Sequence, residues 1–236
     1  MRLDSYLVES GLVESRNKAQ QLIREHSVTV DGKIVDKVSF EVVEGMQAEL
    51  LNMDIYVSRA AVKLKGFLPY TGWDVKGLRA LDIGSSTGGF TQVLLEEGAQ
   101  SVTCVDVGRD QLHTTLRGDD RVRVYENTDI RVFEDAEGFD IVTCDVAFIA
   151  LEHIIDAIDR LSKRYIVVLF KPQFEVGREA KRDKNGVVKD DKAIAKAMIR
   201  FEDMCTLKGW KAVAKEAAHI SGKEGNQEFC YGYVKD

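Results

Sequence analysis

Leu81-Asp82-Ile83-Gly84-Ser85-Ser86-Thr87-Gly88-Gly89-Phe90 is the stretch from which the fold is read. A short apolar run from Ala80 to Ile83 stops at a glycine, a Ser/Gly-rich turn follows, and TQVLLEEG (91–98) then takes on helical character. Strand, glycine turn and helix in that order form the entry to a Rossmann-like nucleotide site. The glycines let the backbone approach a ligand closely, and a helix start offers N–H groups without intrahelical partners. A second apolar run, SVTCVD, ends at Asp106, 22 residues beyond Gly84. Such folds place a carboxylate on ribose hydroxyls at that distance.

The loop excludes two common ligands. It lacks the lysine followed by Ser/Thr of a triphosphate loop, and it lacks the G-x-G-x-x-G spacing of a dinucleotide turn. A glycine loop with one ribose-binding acid suits S-adenosylmethionine, which has no phosphates to cradle. An ordinary strand-to-helix turn would carry the same glycines, so Asp106 in register is what favours the cofactor.

The chain has 236 residues, 44% of them hydrophobic, which is enough for one large domain and a small one. No apolar run reaches membrane-spanning length, and the charged start at Arg2 and Asp4 shows no signal peptide. Cys104, Cys144, Cys205 and Cys230 form no CxxC pair, and the four histidines are scattered. Buried free thiols, no metal site and a cytoplasmic location are expected. The net charge of −6 argues against a general nucleic-acid coat but leaves room for a local basic surface.

Two short helices and a small sheet are expected at the start of the chain. Leu3, Tyr6 and Leu7 share a helical face, Ser15 stands as N-cap of SRNKAQQLIREH, and VTVDGKIV reads as a hairpin turning at Asp31-Gly32. VSFEVVEGMQAELL (38–51) reads as further strand. Through Arg2-Leu3-Asp4, Ser15-Arg16, Lys18-Ala19, Leu22-Ile23 and Val28-x-Val30-Asp31-Gly32, this segment resembles an S4-type RNA-binding domain. The resemblance implies RNA contact through the second helix and the hairpin, with Arg2, Arg16, Lys18, Arg24 and Lys33 as candidates for phosphate contact. Residues 1–60 hold seven Lys/Arg against ten Asp/Glu, so the segment is not basic as a whole.

Beyond it the pattern is α/β. SRAAVKLKGFL reads as a helix capped by Ser58, and the strand series is ALDIG, SVTCVD, VRVYE, FDIVTCD and YIVVLFK with helices between. That alternation means a parallel sheet covered on both faces. DDKAIAKAMIRFEDMCTLKG reads as a long helix, and WKAVAKEAAHI and EFCYGYV as a closing antiparallel pair. Ligands of such sheets collect at the carboxyl ends of the strands, which here are Gly84, Asp106, Asp145 and Lys171. Pro172 biases Lys171 to extended backbone and so holds it at a strand tip.

VSRAAVKL, LDIGSSTGGFTQVLL, VDVGRDQL, CDVAFIAL, FKPQFEVGR and GNQEF together resemble the TlyA (haemolysin A-type) ribosomal RNA 2′-O-methyltransferases. The resemblance implies an S4-type domain over residues 1–51, a linker at 52–57, and an FtsJ/RrmJ-like, Rossmann-like class I methyltransferase over 58–236 with a mostly parallel seven-stranded sheet. It implies a catalytic tetrad of Lys63, Asp145, Lys171 and Glu228, with Lys65 and Glu224 outside the motif positions. It implies S-adenosylmethionine held by Gly84, Ser86, Thr87, Gly88, Gly89, Phe90, Asp106 and Val107, with Asp129 and Ile130 at the adenine edge. Asp129 is equally placed to cap a helix. Ribosomal RNA or a ribosomal subunit is the implied partner, and cytidine the implied nucleotide. The chain departs from the family motif at Ala147 and Ala150, where serines are usual.

Other methyl transfers fit less well. A cytosine C5 enzyme needs a nucleophilic cysteine, and neither Pro69 nor Pro172 precedes one. An exocyclic-amine methylase carries an Asn/Asp-Pro-Pro-aromatic turn, which DVAF is not. A non-catalytic RNA-binding or assembly factor on the same fold, and a haemolysin, are the readings from other classes.

Overall fold

The computed structural model describes residues 1–24, 27–31, 33–50, 56–222 and 224–235, with backbone alone at 33 and 34. Its contacts divide the chain into Met1–Tyr56 and Val57–Asp236.

In the first unit, α1 (Leu3–Glu9) and α2 (Arg16–Arg24) share one core with an antiparallel sheet. The strands are β1 (Val28–Val30), β2 (Lys33–Ile34) and β3 (Ala48–Leu50), ordered β2-β1-β3. Leu3, Leu7, Ala19, Ile23 and Val28 are fully buried in it. Ser15 caps α2 by accepting the Lys18 N–H at 3.3 Å. The hairpin closes where Val30 pairs with Lys33, and Asp31 takes the left-handed φ of +49° that a two-residue turn demands. Gly32 lies outside the described residues. The strand read over 38–51 is corrected to 48–50. From Val38 to Met46 the backbone instead makes turn bonds, Phe40 N–H to Lys37 O and Met46 N–H to Val43 O, plus one isolated bridge from Glu41 to Arg2. Most of the expected linker, together with Leu51, lies outside the described residues.

The second unit begins with α3 (Ala60–Thr71), β4 (Arg79–Ile83), α4 (Gly89–Glu96), β5 (Ser101–Val105), α5 (Thr114–Arg117) and β6 (Val122–Tyr125). It continues with β7 (Phe139–Cys144), α6 (Ile155–Leu161), β8 (Ser162–Phe170), α7 (Pro172–Glu175), α8 (Asp191–Leu207), β9 (Lys211–Ala217) and β10 (Phe229–Val234). The sheet order is β6-β5-β4-β7-β8-β10-β9; the first five strands are parallel, and β10 runs antiparallel to both β8 and β9. The chain moves outward from β4 to β6, then crosses back to β7. The order therefore reverses between β4 and β7, and a crevice opens outside their carboxyl ends.

Burial follows from this layering. β4, β5 and β7 are buried almost continuously, as parallel strands covered on both faces are, while β6 at the edge alternates. On one face Phe170, Phe201 and Tyr231 pack with ring centroids 5.3 to 6.0 Å apart, fastening α8 to β8 and β10. Ser58 is not the expected helix cap. α3 starts after Arg59 without a side-chain cap bond, and Ser58 Oγ instead faces Gly89 so closely that a Cβ there would strike it. All four cysteines are free and buried.

Candidate active site

The glycine loop is shaped by what stands opposite it. Gly84 has φ +75°, and a Cβ there would lie 2.7 Å from the Asp145 carbonyl oxygen. Only glycine allows the tips of β4 and β7 to approach so closely. Ser86, itself at φ +46°, donates its N–H to Asp106 Oδ2 at 2.8 Å, and Gly108 N–H donates to Oδ1 at 2.7 Å. Asp106 thus ties the loop after β4 to the loop after β5.

Two cavities of about 550 Å³ each meet over these tips and share Gly84, Ser86, Asp145 and Ala147. The first is bounded by Lys63, Thr87, Gly89, Phe90 and Lys171 as well, and the second by Asp106, Val107, Asp129 and Ile130. Gly88 borders neither. With φ +98° it turns toward Leu112 and Leu116, against which a Cβ would collide, so its place is in packing. Asp129 commits its carboxylate to its own turn: Arg131 donates its backbone N–H and its guanidinium to it, and the Asp129 carbonyl accepts from Phe133. No helix starts at Asp129, so it is not the expected helix cap: its carboxylate closes a turn, while the residue itself borders the second cavity.

The four tetrad positions form two ion pairs. Lys171 lies at the tip of β8 in extended backbone, φ −115° and ψ 101°, its Nζ 2.5 Å from Asp145 Oδ1 without hydrogen-bond alignment. Lys63 comes from α3, its Nζ 2.5 Å from Glu228 Oε2 beside the start of β10. Lys63 and Glu228 are 8% and 2% exposed, so each neutralises a charge that little water reaches. Gln173 donates to the other Glu228 oxygen at 3.0 Å. Lys63, Asp145 and Lys171 line the first cavity, whereas Glu228 stands behind Lys63. Lys65 points elsewhere, pairing with Glu96 and Glu97.

Three residues of the site went unread in the sequence. Asp82, fully buried inside β4, accepts from Thr91 N–H, Thr91 Oγ1 and Thr143 Oγ1, and borders the first cavity. Burial pushes its carboxyl up to about 7 despite these bonds, and Asp145 adds to the rise. A lone acid inside an apolar strand was the signal for it. Glu175 in α7 is buried and accepts the Leu151 N–H at 2.9 Å, joining the segment after Asp145 to the segment after Lys171. Burial raises its carboxyl to about 7, opposed by the Leu151 bond and Arg200. Phe148 stands 93% exposed at φ +65° on the rim of the second cavity, 5.3 Å from the Phe174 ring.

In the first unit, the expected RNA-binding cations separate. Arg2 and Arg16 both bond the fully buried Asp4, which also accepts from Gln20. Burial alone would raise the Asp4 carboxyl, but these donors hold it well below the ordinary range. Arg2 and Arg16 therefore have a structural task, with about half of each side chain still exposed. Lys18 and Arg24 are exposed. The Lys33 side chain lies outside the described residues. No group of three or more potential metal ligands gathers among the described residues, and no helix among them is long and apolar enough to cross a membrane.

An FtsJ-like methyltransferase family model matches residues 56–235, and an S4 domain model matches residues 1–47. The chain is 46% identical to the 23S rRNA (cytidine-2′-O)-methyltransferase TlyA of Campylobacter jejuni, over all of both chains. It is 38% identical to the 16S/23S rRNA (cytidine-2′-O)-methyltransferase TlyA of Mycobacterium tuberculosis, over 97% of this chain and 87% of that one. A solved structure from Streptococcus thermophilus, 34% identical, superposes with a TM-score of 0.73 over 100% of this chain and 88% of the other. The chain belongs to the TlyA family and joins an S4 domain to an FtsJ-like methyltransferase domain.

Proposed function

We propose that the protein methylates the ribose 2′-hydroxyl of a cytidine in ribosomal RNA, using S-adenosylmethionine. The observation that carries this reading is the pairing of Lys171 with Asp145 where the two cavities meet, backed by the buried Lys63–Glu228 pair. A set of two amines and two carboxylates suits a hydroxyl target, which needs alignment and proton removal rather than a covalent nucleophile.

The residues present fit the cofactor. The second cavity has the size of a small-molecule site, offers the Asp106 carboxylate to ribose hydroxyls, and presents Ile130 and Ile149 to a planar base. The glycine loop carries no cluster of cations, as a phosphate-free nucleoside requires, and Gly84 lets the tips of β4 and β7 close on one another at the floor of both cavities. When bound, S-adenosylmethionine supplies an electrophilic methyl group on a sulfonium.

Every other step belongs to the chain. Lys171, the ammonium partner of Asp145, donates to the 2′-oxygen and so directs its remaining lone pair toward the methyl group, and the hydroxyl proton is released to water as the oxygen–methyl bond forms. Asp145 holds Lys171 Nζ in place, while Lys63, fixed by Glu228 and Gln173, forms the opposite wall. Positioning of the hydroxyl by the paired ammonium groups supplies most of the rate. Phe148 offers an aromatic face at the rim, on which an unstacked base can lie. The S4 unit docks structured RNA through Lys18 and Arg24 and the outer faces of Arg2 and Arg16.

Alkaline cleavage of RNA requires a free 2′-hydroxyl. Ribosomal RNA lacking the modification, incubated with protein and cofactor, is expected to gain one alkali-resistant step at a cytidine. Methyl incorporation with no alkali-resistant position would place the methyl on a base and end the reading.

A further inference from the structure

The segment joining α7 to α8 has no part in the chemistry above, yet it is built. From Lys181 to Lys189 it forms a short hairpin: Arg182 bridges Val188, Lys189 N–H donates to Lys181 O at 2.8 Å, and Asp183 N–H donates to Val187 O at 2.9 Å. Gly186, at φ +83°, makes the turn. The hairpin is anchored beside the site, because the buried Asn226, two residues from Glu228, accepts the Val188 N–H at 2.9 Å.

Its charge runs against that of the chain. Residues 178–196 hold seven Lys or Arg and four Asp or Glu, a net of +3 in a protein of −6. Two of the acids are committed to bonds within the segment. Asp183 accepts from the N–H groups of Asn185 and Val187 and lies 3.6 Å from Lys189, and Asp190 caps α8 through the Ala193 N–H. Arg182 is spent on the carbonyls of Gly177, Arg178 and Ala180. Lys181, Lys184, Lys192 and Lys196 remain exposed, with no ion-pair partner among the described residues. Lys192 and Lys196 stand one turn apart on the same face of α8. Amines left unpaired on a scaffold braced through Asn226, two residues from Glu228, suit an anionic backbone rather than a base edge.

We propose that residues 178–196 form a second RNA clamp, in which Lys181, Lys184, Lys192 and Lys196 contact phosphates flanking the methylated nucleotide. The clamp rests on the reading of the site as an RNA methyltransferase. It acts separately from the S4 unit, so removing its charge lowers the salt dependence of binding without abolishing it.

The test uses the full-length protein, protein-free ribosomal RNA as probe, and the exposed double variant K181Q/K184Q. RNA affinity is measured against salt concentration, with S-adenosylmethionine affinity and thermal unfolding as controls for folding. The expected result is unchanged cofactor affinity with weaker RNA binding. The log–log salt slope becomes shallower by about 0.7 per lost phosphate contact on single strands, hence about 1.4 for the pair. A slope equal to that of the wild type overturns the clamp, even where binding to whole ribosomal subunits falls; that combination would assign the lysines to a protein contact. A wild type that binds RNA with the expected slopes but methylates no ribose ends the methyltransferase reading and leaves the clamp as an RNA contact.

Discussion

Lys63 on α3 and Glu228 beside β10 lie 165 positions apart in sequence and meet at 2.5 Å, both side chains nearly buried. The pair ties the first helix of the second unit to the last strand of its sheet, across the wall of the first cavity. Removing one partner leaves the other charge buried alone, which costs about 3–5 kcal/mol. Glu228→Ala is therefore expected to lower the unfolding midpoint sharply. The double variant K63M/E228L, apolar at both positions, is expected to regain most of the stability and none of the methyl transfer. Chemical denaturation and a transfer assay on the same samples decide this; an active double variant would remove the pair from the mechanism.

Glu175 makes stability depend on pH in an unusual direction. Its carboxyl is raised from 4.5 to about 7, first by burial, so the folded protein holds a proton that the unfolded chain gives up. Below about pH 4.5 both states are protonated and nothing is lost; as pH climbs through 7, ionising the buried group opposes folding. Glu175→Gln keeps an oxygen to accept from Leu151 and removes the titration. Its unfolding free energy is expected to fall less between pH 4.5 and pH 8, by an amount on the order of 2–3 kcal/mol. Parallel curves for variant and wild type would show that Glu175 carries no such linkage.

Phe148 pairs strain with exposure, since a bulky residue at φ +65° is costly and burial does not repay it. Phe148→Gly is expected to raise stability by about 1 kcal/mol, because glycine accepts that backbone. It is also expected to lower kcat/KM for RNA by about tenfold, roughly the loss of one base–aromatic contact, with cofactor affinity unchanged. A variant that is both more stable and equally active would leave the strain without a use.

The strand tips were legible because each one ends an apolar run with a residue that does not belong in it: Gly84, Asp106, Asp145 and Lys171. Pro172 fixed the backbone of Lys171, and Ser15 marked the start of α2. What stayed hidden depends on partners distant in sequence. Nothing local to Arg2 or Arg16 shows that both answer to Asp4, and nothing local to Ser58 shows that it faces Gly89 rather than caps α3. Gly88 looks like one more ligand-loop glycine until Leu112 and Leu116 are seen against it. Residues 38–46 carry a strand-like composition but satisfy their backbone groups in turns. Glu175 reads as an ordinary polar residue because burial, which raises its pKa, is a property of the folded state; Asp82 shows only as a lone acid in an apolar run, and its burial too belongs to the fold.

The central claim is that Lys171, set by Asp145, acts on a ribose hydroxyl. Methyl transfer from labelled S-adenosylmethionine to ribosomal RNA lacking the modification, with wild type beside Lys171→Ala, tests it most directly. The expected result is incorporation at a ribose 2′-oxygen by the wild type and a loss of at least about 10²-fold in the variant, with cofactor affinity retained. A Lys171→Ala protein that transfers methyl groups at the wild-type rate, or a folded, cofactor-binding wild type that transfers none, would contradict it.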